Sequence, residues 1–268
     1  MGFSCWGEFT RGKLSLDHPE KDRFDRSQWC PPGRVSTWYM MYRVFVAIMF
    51  VSFVICHIIA FPIPEKWIIF MTDQGVLFLT LHFVLYAALV LTRWIQERRS
   101  GLRENTVESL PLIYRISWAM GSCFSNAALV ITLIYWIALH RFVEKYGLLE
   151  TSWEYFLNFF VHALNSTFCL IDIFLTDRPY RVLHFYVPIG YGLFYVLFSL
   201  IYWGAGGTGF CNEDGCVNYI YPILDWSGNP GIAVLTVVLA LIVIPLGQCV
   251  WFGLYKLRLW IFNRVTSS

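Results

Sequence analysis

Apolar residues gather in six runs, at about 38–61, 67–92, 112–139, 153–175, 182–203 and 232–254, with polar or turn-forming residues between them. Each run reaches the ~20 residues that a helix needs to cross the hydrocarbon core of a bilayer. The pattern predicts an all-α fold: a polytopic membrane helical bundle with six transmembrane spans. It divides the chain into a polar segment 1–37, a membrane domain 38–255 with one long loop at 204–231, and a tail 256–268. The first run is expected to stay in the protein, because thirty-seven mostly polar residues precede it and it is too long for a signal-peptide core. Thr176-Asp177-Arg178-Pro179 reads as a tight turn that makes spans four and five antiparallel neighbours.

The fourth run departs from uniform apolarity. Asn158, His162, Asn165, Ser166, Cys169 and Asp172 sit at offsets −4, 0, +3, +4, +7 and +10 from the histidine. At roughly 100° per residue they share about a third of the helix circumference. A polar group in lipid costs free energy unless it finds a partner or water, so this stripe is expected to face protein or a wet cavity. Other spans add Arg43 and His57 (span one), Thr72, Asp73, Gln74 and His82 (span two), and Ser122, Ser125 and Asn126 (span three).

Composition agrees with a membrane protein: 57% of residues are apolar and only 14% are charged. Sixteen of the 20 Lys and Arg residues fall on one side of the six-span map and three on the other, with Arg43 inside span one. The positive-inside rule then places both termini in the cytoplasm. A net charge of +2 is too small to imply a nucleic-acid partner, and the basic residues are expected to sit beside anionic lipid. Arg43 is expected to snorkel to the inner face, and His184 to be interfacial. Trp38, Trp67, Trp94, Trp153 and Trp203 lie near span ends, as an interfacial belt requires. Cys211 and Cys216, in the loop facing away from the cytoplasm, are candidates for a disulfide. Cys5 and Cys30 are candidates for acylation rather than bridging, and Gly2 is a weak myristoylation signal because Trp6 stands where Ser or Thr is wanted.

Counting at 1.5 Å per residue, His162 lies roughly 14 Å below Trp153 and Thr72 about 8 Å below Trp67, both entering from the outer side. A modest tilt brings them to one depth. A hydroxyl beside an imidazole is the minimum for nucleophilic acyl transfer, with Asn158 or Asn165 to orient the ring or donate to an oxyanion and Asp73 to steady a charged ring. The same residues also suit plain interhelical hydrogen bonds. No His-x3-His pair or second carboxylate accompanies His57, His82 and His162, so neither a metal nor a cofactor is expected.

Three signatures, WIIFMTDQGVLFLTLHF (67–83), FFVHALNSTFCLIDIFL (159–175) and YPILDW followed by NPG (221–231), resemble the Rolling stone proteins of animals. The resemblance covers about residues 38–255. It implies a multi-pass membrane protein, with a role in myoblast fusion and muscle development and a place in the plasma membrane rather than the endoplasmic reticulum. More distantly, the layout resembles the androgen-induced, FAR-17a-like intramembrane threonine hydrolases, which cleave fatty acid esters of hydroxy fatty acids. That family's nucleophilic threonine opens span two and its histidine lies in span four. Thr72 in FMTDQG and His162 in VHALNS match those positions, which implies membrane lipids as partners and a fatty-acid ester as substrate.

Overall fold

The structure is a computed structural model that describes residues 5–61, 63–101, 107–145, 149, 151–212 and 215–267. Gly2 and the side chains of Cys5 and Trp6 lie outside the described residues. Among the described residues six helices are long and apolar enough to span a membrane. They are α1 (Thr37–Ala60), α2 (Met71–Ser100), α3 (Leu112–Leu139), α4 (Ser152–Leu175), α5 (Val182–Gly204) and α6 (Pro230–Thr266).

Local chemistry sets the ends of these helices. Pro64 opens a 3-10 turn, Pro64–Ile69, so α2 starts at Met71 and not at 67. Gly101 closes α2 in the left-handed region at φ 64°, which a residue with a Cβ rarely adopts. Thr151 and Glu154 form a reciprocal capping box at the head of α4. Nothing in Tyr255–Thr266 breaks a helix, so α6 runs well past 254 and, at 37 residues, reaches roughly 55 Å. In the loop between α5 and α6, Cys211–Asn212 pairs antiparallel with Gly215–Cys216, and Cys211 and Cys216 are disulfide-bonded. Gly209 is needed there, because a Cβ would overlap the Tyr219 carbonyl.

The third helix is the central column and touches α2, α4, α5 and α6. Its buried residues include a run of small or polar ones (Gly121, Ser122, Ser125, Asn126, Ala127 and Ala128), which lets neighbouring backbones approach closely. Several polar groups buried there bond across to α6 and the α4–α5 turn. Asn126 donates to the Ile244 carbonyl at 3.0 Å and to Gln248 Oε1 at 3.1 Å on α6. Gln248 in turn donates to Ser122 Oγ at 3.0 Å and accepts from Tyr180 Oη at 3.1 Å.

Arg43 does not snorkel. It is 1% exposed and ion-pairs with Asp172 on α4, and it donates to Tyr39 Oη at 2.5 Å. Its guanidinium carbon also stands 3.9 Å from the centre of the Tyr86 ring. A buried carboxylate at matching depth removes the reason to reach for the interface. His184, near the start of α5, is buried under the amino-terminal segment. It sits 3.2 Å from the Ser15 carbonyl, with its ring 4.8 Å from that of Trp118. Trp67 leaves the belt: it is buried and donates its indole N–H to His57 Nδ1 at 2.9 Å.

The amino-terminal segment is folded onto one end of the bundle. Ser27 Oγ donates to the Leu175 carbonyl at 2.7 Å, Trp29 Nε1 to the Phe174 carbonyl at 2.7 Å, and Asp177 N to the Arg26 carbonyl at 3.1 Å. Arg26 pairs with Asp177 at 2.5 Å, and Arg181 donates to the Asp17 carbonyl at 3.0 Å. Phe24 packs against Tyr114 and Trp118 of α3. The segment, the α4–α5 turn and the basic end of α6 therefore share one end of the molecule.

Asp25 lies in this packing and accepts from Tyr114 Oη at 3.0 Å. Burial pushes its carboxyl up from 3.8 to about 7, against the pull of Arg93. A raised carboxyl favours the folded state at low pH, and that contribution is lost as pH rises through about 7. His18 acts in the opposite sense, since burial pushes its ring down to about 4, so the comparison must be between variant and parent. Asp25→Asn is expected to melt progressively higher than the parent as pH is raised from 5 to 8, read as thermal midpoints in detergent. A constant gap over that range would rule out Asp25 as the titrating group.

Candidate functional site

Two π-helical turns face each other in the half of the bundle away from the amino-terminal segment: Tyr135–Leu139 at the end of α3 and Phe160–Leu164 within α4. Each inserts one residue into the helix and frees a carbonyl from the regular ladder. In α4 the Asn158 carbonyl lies 2.9 Å from His162 Nδ1. A carbonyl only accepts, so Nδ1 carries the ring proton and Nε2 is the basic nitrogen. The ring stacks on Tyr135, centroids 3.6 Å apart and planes at 19°. Tyr135 Oη accepts from Asn158 Nδ2 at 2.6 Å and lies 3.4 Å from His140 Nδ1. Trp136 Nε1 donates to the His162 carbonyl at 3.1 Å. The imidazole is thus held in one orientation and one tautomer.

Thr72 is the second residue of α2, where backbone N–H groups lack partners within the helix and the dipole favours negative charge. Its N–H donates to Tyr221 Oη at 3.3 Å, and its hydroxyl lies 3.5 Å from the same oxygen. Burial raises the Tyr221 phenol above its usual range, so it stays protonated. Tyr221 belongs to the loop between α5 and α6, whose YPILDW…NPG signature forms a compact turn. Asp225 Oδ1 accepts from Gly228 N at 2.7 Å and from Ser227 N at 3.1 Å, and these bonds hold its carboxyl below the usual carboxylate range.

Thr72, His162, Tyr135 and Tyr221 all border one cavity of about 110 Å³. The rest of its wall is almost wholly apolar, supplied by α3, α5 and α6 (Val130, Ile131, Ile134, Val196, Val237 and Ile244 among them). Leu193 on α5 and Leu241 on α6 belong both to the cavity wall and to the lipid-facing surface, being 48% and 38% exposed. No hydrogen bond joins Thr72 to His162 directly; they stand on separate walls.

The supporting candidates are placed as follows. Asn158 holds His162 through its main chain and Tyr135 through its side chain. Asn165 turns away from the ring: it donates to the Val161 carbonyl at 2.7 Å and accepts from Ser166 N at 2.6 Å and Thr132 Oγ1 at 3.5 Å. Asp73 is 3.4 Å from His57 Nδ1, so it stands by a different histidine. Asp172 serves Arg43. The stripe on α4 therefore divides among three tasks. Among the described residues no cluster of His, Cys, Asp or Glu could hold a metal ion. Sequence reasoning missed Tyr135 and Tyr221 as site residues. Tyr221 carried a signal, since it opens YPILDW, whereas Tyr135 stood among many span aromatics with nothing to mark it.

The fold defines a polytopic helical membrane protein with a polar-tipped apolar chamber near one face. The family model for Protein rolling stone matches residues 3–268, and the chain belongs to that family. It is 32% identical over 272 residues to Protein rolling stone of Drosophila melanogaster, covering 97% of this chain and 91% of that protein. No solved structure matches it.

Proposed function

We propose that the chain is an intramembrane hydrolase of fatty-acid esters, with Thr72 as nucleophile and His162 as general base. One observation carries the reading: a hydroxyl at a helix start and an imidazole fixed in its basic tautomer border the same apolar chamber. The bound ester would lie between the two walls. Thr72 Oγ attacks the carbonyl carbon as its proton passes to His162 Nε2, directly or through one water. The carbonyl oxygen gains charge beside the α2 N-terminus and the Tyr221 hydroxyl, both suited to steady it. As the ester C–O bond breaks, His162 returns the proton to the departing alkoxide. Water then hydrolyses the acyl-threonine by the reverse use of the same base.

A serine/threonine-directed fluorophosphonate tests this in the membrane fraction. The full chain is expected to label, and Thr72→Ala to lose the label. Equal labelling of the two proteins would remove Thr72 as nucleophile.

A second reading is favoured by family membership. We infer that the protein acts in myoblast fusion during muscle development, at the plasma membrane, with both termini in the cytoplasm. The distribution of Lys and Arg, together with the gathering of both terminal segments at one end of the bundle, supports that orientation. Thr72→Ala and His162→Ala chains introduced into myoblasts lacking the protein separate the readings. Rescue of fusion by both variants would detach the fusion role from ester chemistry, and failure of the unmodified chain to rescue would end the fusion reading.

A further inference from the structure

A second cavity of about 20 Å³ lies apart from the Thr72–His162 chamber, between α2, α3, α4 and the α4–α5 turn. It has room for one body of about the size of a water molecule. His82, Ser125, Asp172, Thr176, Arg178 and Tyr180 bring polar groups to its wall. Arg178 reaches it because residue 121 is glycine; a Cβ there would fall on the guanidinium.

Arg178 Nη1 is 3.3 Å from His82 Nε2 and 3.5 Å from the Ser117 carbonyl. A guanidinium only donates, so His82 Nε2 accepts and the ring proton is on Nδ1. His82 is 1% exposed, and Nδ1 has no hydrogen-bond partner, although the Ser117 carbonyl is near the ring. A buried donor left without an acceptor is costly.

Charge is also out of balance here. Asp172 borders the cavity but is committed to Arg43, and Asp177 to Arg23 and Arg26. Arg178 has no carboxylate within ion-pair distance among the described residues. Neither has Arg258, which is 0% exposed and donates to the Ile173, Thr176 and Arg178 carbonyls just behind the cavity wall. Two guanidiniums so enclosed need a counter-charge.

We propose that this cavity is a binding site for a monatomic anion, chloride in a cell, held by the Arg178 guanidinium and the Nδ1–H of His82. The anion accepts from the stranded donor and neutralises one of the two unmatched charges. The site is independent of ester chemistry.

The test is thermal unfolding of the full chain in detergent, in sodium chloride against sodium gluconate at fixed ionic strength. A ligand held only by the folded state raises the midpoint with concentration, here by on the order of 5 °C from millimolar to a few tenths molar chloride, levelling off at saturation. Bromide is expected to replace chloride. Arg178→Met and His82→Phe are expected to lose the halide response. Equal midpoints in chloride and gluconate would overturn the proposal and leave a single water in the cavity. A halide response unchanged in a folded His82→Phe or Arg178→Met chain would overturn it as well. If neither variant folds, the halide titration of the unmodified chain decides alone.

Discussion

Arg43→Met is expected to destabilise the fold by about 3–5 kcal/mol, the cost of stranding a buried partner charge. Three helices meet at this guanidinium: α1 carries it, α4 supplies Asp172, and α2 presents the face of Tyr86. Removing the cation leaves Asp172, itself 5% exposed, as an anion in a low-dielectric interior. The lost pair is the smaller part of the effect; the stranded carboxylate is the larger. Arg43→Met combined with Asp172→Leu should therefore recover most of the stability, because an apolar pair of similar volume carries no desolvation penalty. Thermal midpoints of the two single variants and the double variant in one detergent make the comparison. Equal loss in the single and double variants would mean that packing, not charge, holds the three helices.

The second large effect concerns chemistry rather than folding. His162→Gln is expected to slow fluorophosphonate labelling of Thr72 by about 10²–10⁴-fold, the usual contribution of a positioned general base. A glutamine amide can still donate to the Asn158 carbonyl, so the π-turn keeps a hydrogen bond while the basic nitrogen is gone. The thermal midpoint should move little. Tyr135→Phe keeps the stacked ring but removes the acceptor of the Asn158 amide. It should slow labelling far less than His162→Gln. Asn165→Ala supplies the contrast: it breaks the bonds to Thr132 and Ser166, so it should lower stability without a selective loss of rate. A His162→Gln chain that labels at the parental rate would leave Thr72 without its base.

Much of this architecture was legible in the sequence because membrane crossing is a constraint on composition. Six apolar runs of sufficient length leave few alternatives. Thr72 and His162 stood out for the same reason, as polar groups where lipid would penalise them. Facts that depend on two distant segments were not legible. Arg43 was misread because a basic residue near a span end ordinarily reaches for the interface; only the position of Asp172 on another helix decides otherwise. Trp67 was misread likewise, since the acceptor at His57 on α1 cannot be seen from its own segment alone. The π-turns left no trace, because one inserted residue shifts the helical period by less than the noise of a short apolar window. Residues 1–37 read only as a polar segment, since 3-10 turns of three or four residues are too short to show a period.

The order of synthesis gives the amino-terminal segment a further significance. It leaves the ribosome first, yet its seat includes the α4–α5 turn and the far end of α6, where Lys256 meets Glu8. Part of that seat is on α3, but it is complete only when nearly all of the chain has been inserted. Its docking is then a late event that reports whether every helix has found its place, and a chain cut short before α6 leaves that segment only part of its seat.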